Sequence, residues 1–166
     1  PENSGVYFPM VEFLKIGAEQ ISTLAGLKYT YGDMMDFGQC LDFAGGKFNI
    51  LFGRDEMLLA ALALGARGAI GSTYNFAAPV YHDVINAYQA RDMAAAQAAQ
   101  SRAREMVAVF DEFGGQTAMK AVMKAIGIDC GPCRLPLRTL SDEQYERLCA
   151  RLERIGFFIY CSKIGS

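Results

Sequence analysis

Two short apolar runs, separated by one segment of helical length, constrain the fold of this chain most strongly. Residues 24–29 (LAGLKY) and 48–52 (FNILF) have the length and composition of buried strands. Residues 32–43 lie between them, have helical spacing, and are followed by Gly45-Gly46, a helix-ending signal. Strands that alternate with helices at this spacing predict an α/β fold with a parallel sheet covered on both faces.

The rest of the chain is predicted to be helical, apart from a third short strand at 69–70. The predicted helices lie at residues 8–20, 32–43, 57–66, 79–90, 92–113, 117–126 and 141–155. Asp55 is expected to cap the third of them, and Ser141 with Gln144 forms a capping box for the last. The last three helices follow one another without a strand, so we divide the chain into an α/β part, residues 1–91, and a helical extension, residues 92–166.

Composition excludes several functional classes. The longest apolar run is far shorter than the roughly 18 residues of a membrane span, and we expect neither a membrane segment nor a signal peptide. The net charge is −2 and the 16 Lys and Arg residues are scattered, which argues against a nucleic-acid surface. Five cysteines is an odd number without a compact spacing, so a secreted disulfide scaffold is disfavoured and a cytoplasmic protein is expected.

Lys28 ends the first predicted strand in an apolar context. Burial lowers the pKa of a lysine, because desolvation disfavours the charged form. A neutral amine can attack a ketone and form an imine, which then acts as an electron sink. The alternative is a lysine that extends from the strand end into solvent, and Lys28 alone favours that simpler interpretation.

Two further strand ends carry polar groups on the same predicted rim. Residues 53–56 (GRDE) follow the second strand, and residues 71–75 (GSTYN) follow the third. Active sites of parallel α/β folds lie at the carboxyl ends of the strands. Taken singly, Asp55 is explained equally well as an N-cap and Gly71-Ser72 as a tight turn. Together, the three polar strand ends favour a shared pocket for a polyhydroxylated substrate.

These motifs resemble a known superfamily. Residues 26–30 (GLKYT) resemble the Schiff-base strand of the dihydrodipicolinate synthase and N-acetylneuraminate lyase superfamily. Residues 53–56 and 71–75 are similar to its sialic-acid lyase branch in particular. Residues 36–40 (DFGQC) and 134–137 (RLPL) resemble the animal members of that branch. The lysine motif is shared by all branches, so the substrate expectation depends on the combination.

The resemblance implies a class I aldolase on a (β/α)8 barrel, usually a homotetramer, that cleaves N-acetylneuraminate into pyruvate and N-acetylmannosamine. Residues 1–91 would supply strands six to eight of the barrel, and residues 92–166 a three-helix extension packed on it. Lys28 would form the imine with the keto carbon. The sugar-derived part of the substrate would contact Thr30, Gly53, Asp55, Glu56 and Ser72. No metal or cofactor is expected, because the protonated imine itself stabilises the enamine.

The resemblance also implies two elements that are not found in this sequence. One is a tyrosine at the end of the fifth strand, which acts as a proton shuttle. The other is a Gly-Thr-Thr-Gly-Glu loop after the second strand, which holds the substrate carboxylate. Residues 1–6 (PENSGV) resemble the loop after the fifth strand, so the chain resembles a C-terminal half. We therefore expect residues 1–166 alone to be inactive and poorly soluble.

Two other functions stay open at this point. One is a different pyruvate-dependent aldolase of the superfamily that acts on a keto-deoxy sugar acid, although residues 71–75 speak against it. The other is a non-catalytic half-barrel module that folds only with a partner.

Two other motifs are rejected as catalytic centres. Residues 130–133 (CGPC) match a thioredoxin-like dithiol, but they follow a predicted helix, and Pro136 prevents a new one from starting there. His82 is the only histidine and lies far along the chain from these cysteines, which disfavours a zinc site and hydrolase chemistry.

Overall fold

The computed structural model describes residues 5–162, so most of the segment 1–6 that resembles the fifth-strand loop lies outside the described residues. The chain divides into two compact units between Gly71 and Ser72. The first contains the sheet and the second is helical. The predicted division at residues 91 and 92 concerns a different boundary, that between barrel and extension, and stays a prediction.

The first unit is an α/β unit. Its α-helices and strands are α1 (Met10–Gln20), β1 (Gly26–Tyr29), α2 (Met34–Asp42), β2 (Asn49–Phe52) and α3 (Leu58–Ala63), with 3-10 turns at Phe43–Gly46 and Asp55–Met57. The two strands pair in parallel, with Gly26 opposite Asn49 and Tyr29 opposite Phe52. The predicted third strand is reduced to one parallel bridge, between Phe52 and Ala69.

Aromatic side chains form the centre of the first unit. The rings of Tyr29 and Phe37 lie 5.2 Å apart, and those of Phe37 and Phe52 lie 4.9 Å apart. All three residues are almost fully buried. Since ring contacts at these distances add to the burial of large apolar surfaces, they fix the ends of β1 and β2 against α2.

The second unit consists of α4 (Tyr74–Gln89), α5 (Met93–Glu112), α6 (Gln116–Ala125), α7 (Asp142–Arg154) and α8 (Phe157–Tyr160). The longest two, α4 and α5, pack against each other. The predicted capping box of Ser141 and Gln144 is present at the start of α7. The short helix α8 was not predicted; it follows Gly156, whose positive φ of 69° ends α7 and lets the chain start a new turn.

One predicted helix start and one predicted helix cap were wrong. The structure begins α4 at Tyr74, not at Pro79, because the backbone is irregular at Ala77 and Pro79 then falls in the first turn after that break, where its missing N–H is tolerated. Asp55 does not cap α3, since it is itself the first residue of a 3-10 turn and α3 begins three residues later. Among the described residues, no helix is both long enough and apolar enough to cross a membrane.

Candidate active site

The carboxyl ends of the strands in the first unit meet at one edge. The Gly53 N–H donates to the Tyr29 carbonyl at 2.7 Å, which extends the ladder one residue beyond β2. On the other side of β2, the Ile70 N–H donates to the Phe52 carbonyl at 2.8 Å. The segments that follow the three predicted strands therefore start from one hydrogen-bonded edge, as expected for parallel strands.

Lys28, Thr30 and Gly53 lie together at this edge. A methyl group placed on Gly53 would lie 2.7 Å from Lys28 Cε and would overlap Thr30 Oγ1. Only a glycine therefore leaves room for the lysine stem and the threonine hydroxyl in their present positions. Three of the six predicted site residues are thus neighbours, although they come from two different segments of the chain.

The Lys28 side chain is exposed, as the simpler interpretation of this residue alone had favoured. The reason is the alternation of side chains along β1. Tyr29 takes the face that packs on α2, and Lys28 therefore points to the opposite face. The simpler interpretation, a lysine that extends from the strand end into solvent, describes its position correctly.

Asp55 is buried and lies against Gly71. A methyl group on Gly71 would overlap the Asp55 carboxylate, so the close approach again requires glycine. Asp55 belongs to the segment after β2, and Gly71 belongs to the segment after the third predicted strand. The carboxylate that was expected to cap a helix instead contacts the neighbouring strand end.

Glu56, the next residue, is paired with Arg54. The Arg54 Nε donates to Glu56 Oε1 at 2.8 Å, and both side chains are about one quarter exposed. A paired carboxylate keeps free acceptor positions, because its two oxygens offer about four lone-pair sites. Glu56 can therefore accept a substrate hydroxyl while it stays bound to Arg54.

A cavity of about 600 Å³ adjoins these strand ends. It is lined by Tyr7, Tyr31, Gly32, Asp33, Arg54 and Met57. Most of these residues follow the carboxyl end of β1 or of β2, but none of them is among the predicted site residues. One ion pair connects the cavity with the predicted site residues, because Arg54 lines the cavity and is bonded to Glu56.

Two charged residues line this cavity, the cation Arg54 and the anion Asp33. Its carboxylate accepts the Tyr7 hydroxyl at 3.1 Å and the backbone N–H groups of Met35 and Asp36 at the start of α2. The Asp36 N–H, helped by the Tyr7 hydroxyl, lowers the pKa of Asp33. Desolvation and the nearby Asp33 raise the pKa of Tyr7, so this phenol stays protonated at neutral pH.

Ser72 opens the second unit and is exposed. Its carbonyl accepts the Asn75 side-chain amide at 2.9 Å. Thr73 is buried, and its hydroxyl is 2.6 Å from that of Tyr81 on α4. The polar run 71–75 is thus partly used to start α4, and Ser72 keeps an accessible hydroxyl.

A buried network behind β1 was not predicted. The Asp36 carboxylate accepts the backbone N–H groups of Met10 and Val11, at 2.9 and 3.1 Å, and the Tyr29 hydroxyl at 3.1 Å. It therefore caps α1 from α2, where Pro9 offers no side-chain cap. Tyr29 is the residue after Lys28, so the network also holds the end of β1.

The sequence contained one signal for this network. Asp36 lies on the apolar face of α2 beside Phe37 and Cys40, where an acidic residue is unexpected unless it has partners. Burial, together with the Asp36 charge, raises the pKa of the Cys40 thiol to about 12. Burial and Asp36 also raise the pKa of Tyr29 strongly.

Three other features of the described residues do not support a different functional site. A cavity of about 550 Å³ lies at the amino end of β2, where Lys47, Asn49 and Ile50 line it, away from the predicted chemistry. No group of three or more potential metal-ligating side chains occurs among residues 5–162. No helix begins at Cys130 or Cys133, in agreement with the rejection of a thioredoxin-like centre.

Comparison with known proteins finds one matching family and several similar lyases. The model of the dihydrodipicolinate synthetase family matches residues 4–155. N-acetylneuraminate lyase of Mus musculus is 38% identical over 160 residues, which are 95% of this chain and 50% of that protein. The Gallus gallus enzyme of the same name is 39% identical over 158 residues, 93% of this chain and 51% of the relative. The chain therefore spans about half the length of the curated relatives that it matches.

Solved structures give the same coverage. The N-acetylneuraminate lyase of Aliivibrio salmonicida matches with a TM-score of 0.88 and 40% identity, over 93% of this chain and 51% of that one. The Proteus mirabilis N-acetylneuraminate lyase also has a TM-score of 0.88, with 38% identity over 93% of this chain and 52% of that one. The backbone described above is thus similar to about half of such a lyase.

Proposed function

This chain belongs to the dihydrodipicolinate synthetase family, and we propose that a complete barrel containing it is a Schiff-base aldolase that cleaves N-acetylneuraminate into pyruvate and N-acetylmannosamine. The proposal is supported by the relatives named N-acetylneuraminate lyase, which share about half their length with the chain. The observation that carries it is the position of Lys28 at a strand end, with its stem against Gly53 and Thr30.

In the proposed reaction, the neutral Lys28 amine attacks the keto carbon of the substrate, and loss of water with uptake of one proton forms a protonated imine. The bond between the α and β carbons then breaks as the β-hydroxyl loses its proton and becomes an aldehyde. The bonding electron pair moves into the imine and gives an enamine. The enamine takes a proton at the α carbon, and water releases pyruvate and the free amine.

The remaining site residues are proposed to bind the sugar-derived part. Carboxylates accept hydroxyl hydrogens, and Asp55 and Glu56 supply two on adjacent positions of one segment. Thr30 adds a hydroxyl beside Lys28, and Gly53 leaves space for both the lysine and the ligand. Ser72, at the start of the second unit, is proposed to add a further hydroxyl to this set.

The finer architecture is proposed from the same relatives. Residues 1–91 would supply strands six to eight of a (β/α)8 barrel, and residues 92–166 a three-helix extension that packs on it. Homotetramer assembly and a cytoplasmic location are proposed as well. All five cysteines are free thiols, which is consistent with a reducing compartment.

The test is chemical trapping of the imine. A complete barrel containing this sequence is treated with pyruvate and borohydride, which reduces an imine to a stable amine. We expect one adduct, on Lys28, and its loss in Lys28→Met. Lys47→Met is the control, because Lys47 lies at the opposite end of the strand pair and should leave the adduct unchanged. A folded protein without an adduct on Lys28 would overturn the proposal and favour the non-catalytic assembly module.

Substrate choice needs a second measurement, since every pyruvate aldolase of this type forms the same imine. Release of pyruvate is compared for N-acetylneuraminate and for a keto-deoxy sugar acid. We expect Asp55→Asn to slow cleavage of N-acetylneuraminate much more than trapping of pyruvate, because Asp55 is proposed to contact only the sugar-derived part. Preference for the keto-deoxy acid would assign the other branch of the superfamily.

A further inference from the structure

Two cysteines lie on the connection between α6 and α7, residues 127–140, here named the cysteine loop. Cys130 is exposed and Cys133 is partly exposed, whereas Cys40 and Cys161 are buried in the two units. The fifth, Cys149, lies within α7 and is partly exposed. The cysteine loop therefore carries the pair of accessible thiols with the smallest separation in sequence.

The backbone around the pair is held by polar side chains. The Lys120 ammonium donates to the carbonyl groups of Cys130 and Pro132, at 3.1 and 2.7 Å. The Cys133 N–H donates to the Thr139 hydroxyl at 2.9 Å. These three contacts are all made to the main chain and fix the path of the loop, while the Cys130 thiol donates to the Ile128 carbonyl at 3.8 Å.

The present path is open. Residues 128–134 are neither helix, strand nor turn. A disulfide requires the two Cα atoms to approach within about 4.4–6.8 Å, and residues three apart come that close only across a turn. Formation of a Cys130–Cys133 disulfide therefore requires the segment to bend.

Gly131 makes that bend accessible. A residue that precedes proline is normally restricted to extended backbone, but glycine has no Cβ and is far less restricted. Gly131 already has a positive φ of 68°, which other residues rarely adopt. The Gly131-Pro132 pair therefore joins a permissive residue to a rigid one between the two thiols.

We propose that Cys130 and Cys133 are a reversible thiol–disulfide modification site, which is oxidised by a low-molecular-weight disulfide and bends the cysteine loop when it closes. One thiolate attacks the small disulfide and releases one thiol; the second cysteine then attacks the mixed disulfide and releases the other. The cysteine pair loses two electrons and two protons, and the small disulfide gains both as it becomes two thiols. No helix begins at either cysteine, so the pair lacks the helix dipole that activates thioredoxin-like catalysts. Its oxidation is therefore assigned to the loop itself and not to the oxidation of other substrates.

Closure changes the surroundings of Lys120. A cavity of about 240 Å³ is lined by Lys120 and Cys133, and by Asp142 and Tyr145 at the start of α7. Bending residues 130–133 displaces the carbonyl groups that Lys120 binds and the N–H that Thr139 binds. The disulfide is therefore expected to reshape this cavity, independently of the proposed lyase chemistry.

The test uses glutathione as the probe. The protein is equilibrated with mixtures of reduced and oxidised glutathione, alkylated in denaturant and cut with trypsin. The peptide 125–134 contains both cysteines of the pair and no other cysteine. We expect it to escape alkylation, with a mass two hydrogens below that of the unalkylated dithiol peptide, at a glutathione ratio that leaves Cys149 reduced. Hydrogen exchange should show loss of protection at the Cys133 N–H in the oxidised form.

Two variants separate the proposal from ordinary thiol reactivity. Cys133→Ser should give a mixed glutathione disulfide on Cys130, and Cys149→Ser should leave the transition unchanged. Separate glutathione adducts on both cysteines of the unsubstituted protein, or a peptide that stays reduced until Cys149 reacts, would overturn the proposal.

Discussion

Gly53→Ala is the most informative substitution at the candidate site. The added methyl group would lie 2.7 Å from Lys28 Cε and would overlap Thr30 Oγ1. The Gly53 N–H is bonded to the Tyr29 carbonyl at 2.7 Å, so the main chain is held and the two side chains must move instead. An ordinary carbon–carbon contact is about 3.5–4.0 Å, so Lys28 Cε must retreat by roughly 1 Å.

A displacement of this size is expected to matter for catalysis and little for folding. A misplacement of about 1 Å in a reacting group can cost on the order of 10²-fold in rate. We therefore expect the rate of pyruvate trapping and the kcat of cleavage to fall about 10- to 100-fold in a complete barrel with Gly53→Ala. The thermal midpoint should change little, because Lys28 and Thr30 are exposed and free to shift.

The matched control is Gly38→Ala. Gly38 lies inside α2, and a methyl group there meets no atom within 4 Å. This variant should keep full activity and gain about 0.5–1 kcal/mol, because alanine is the better helix former. Wild-type trapping kinetics in a folded Gly53→Ala variant would refute the proposed role of the space beside Lys28.

Three further predictions concern the framework of the site. Asp36→Ala should lower the free energy of unfolding by about 2–4 kcal/mol in a denaturant titration, because three hydrogen bonds to a buried carboxylate are lost. A cost no larger than that of Asp33→Ala, which removes a partly exposed N-cap and its bond to the Tyr7 hydroxyl, would contradict this prediction. Gly71→Ala should lower the free energy of unfolding by about 1–3 kcal/mol and slow cleavage of the sugar acid, because the added methyl group overlaps the buried Asp55 carboxylate. An unchanged Tm and an unchanged cleavage rate would argue against that contact. The free energy of unfolding should fall between about pH 9 and 12, because burial raises the pKa of Cys40 from 9.0 to about 12 and the unfolded thiol ionises first. Cys40→Ala should make this fall shallower, and the raised pKa of buried Tyr29 accounts for what remains.

The order of strands and helices could be predicted because it depends on local pattern. Apolar runs of strand length and helical spacing between them predicted β1, α2 and β2 within two residues at each end. The wrong predictions came from contacts that are distant in sequence. Asp55 has the residue type of an N-cap, but its carboxylate lies against Gly71, which is sixteen positions further along the chain. Asp36 holds α1 for the same reason, since its partners are 25 and 26 positions away.

Neighbouring residues determine where Lys28 lies, but they do not determine whether its amine is desolvated. Its placement at the strand end follows from the pairing of β1 with β2, and the space for its stem follows from Gly53. Its exposure follows from strand alternation, because Tyr29 must face Asp36 and Phe37 for the buried network to form. A lysine that faces away from its own core can be desolvated only by residues or substrate on the other side. Imine formation is therefore expected to depend on what covers that face, whereas the buried network contributes the rigidity of the strand that carries the lysine.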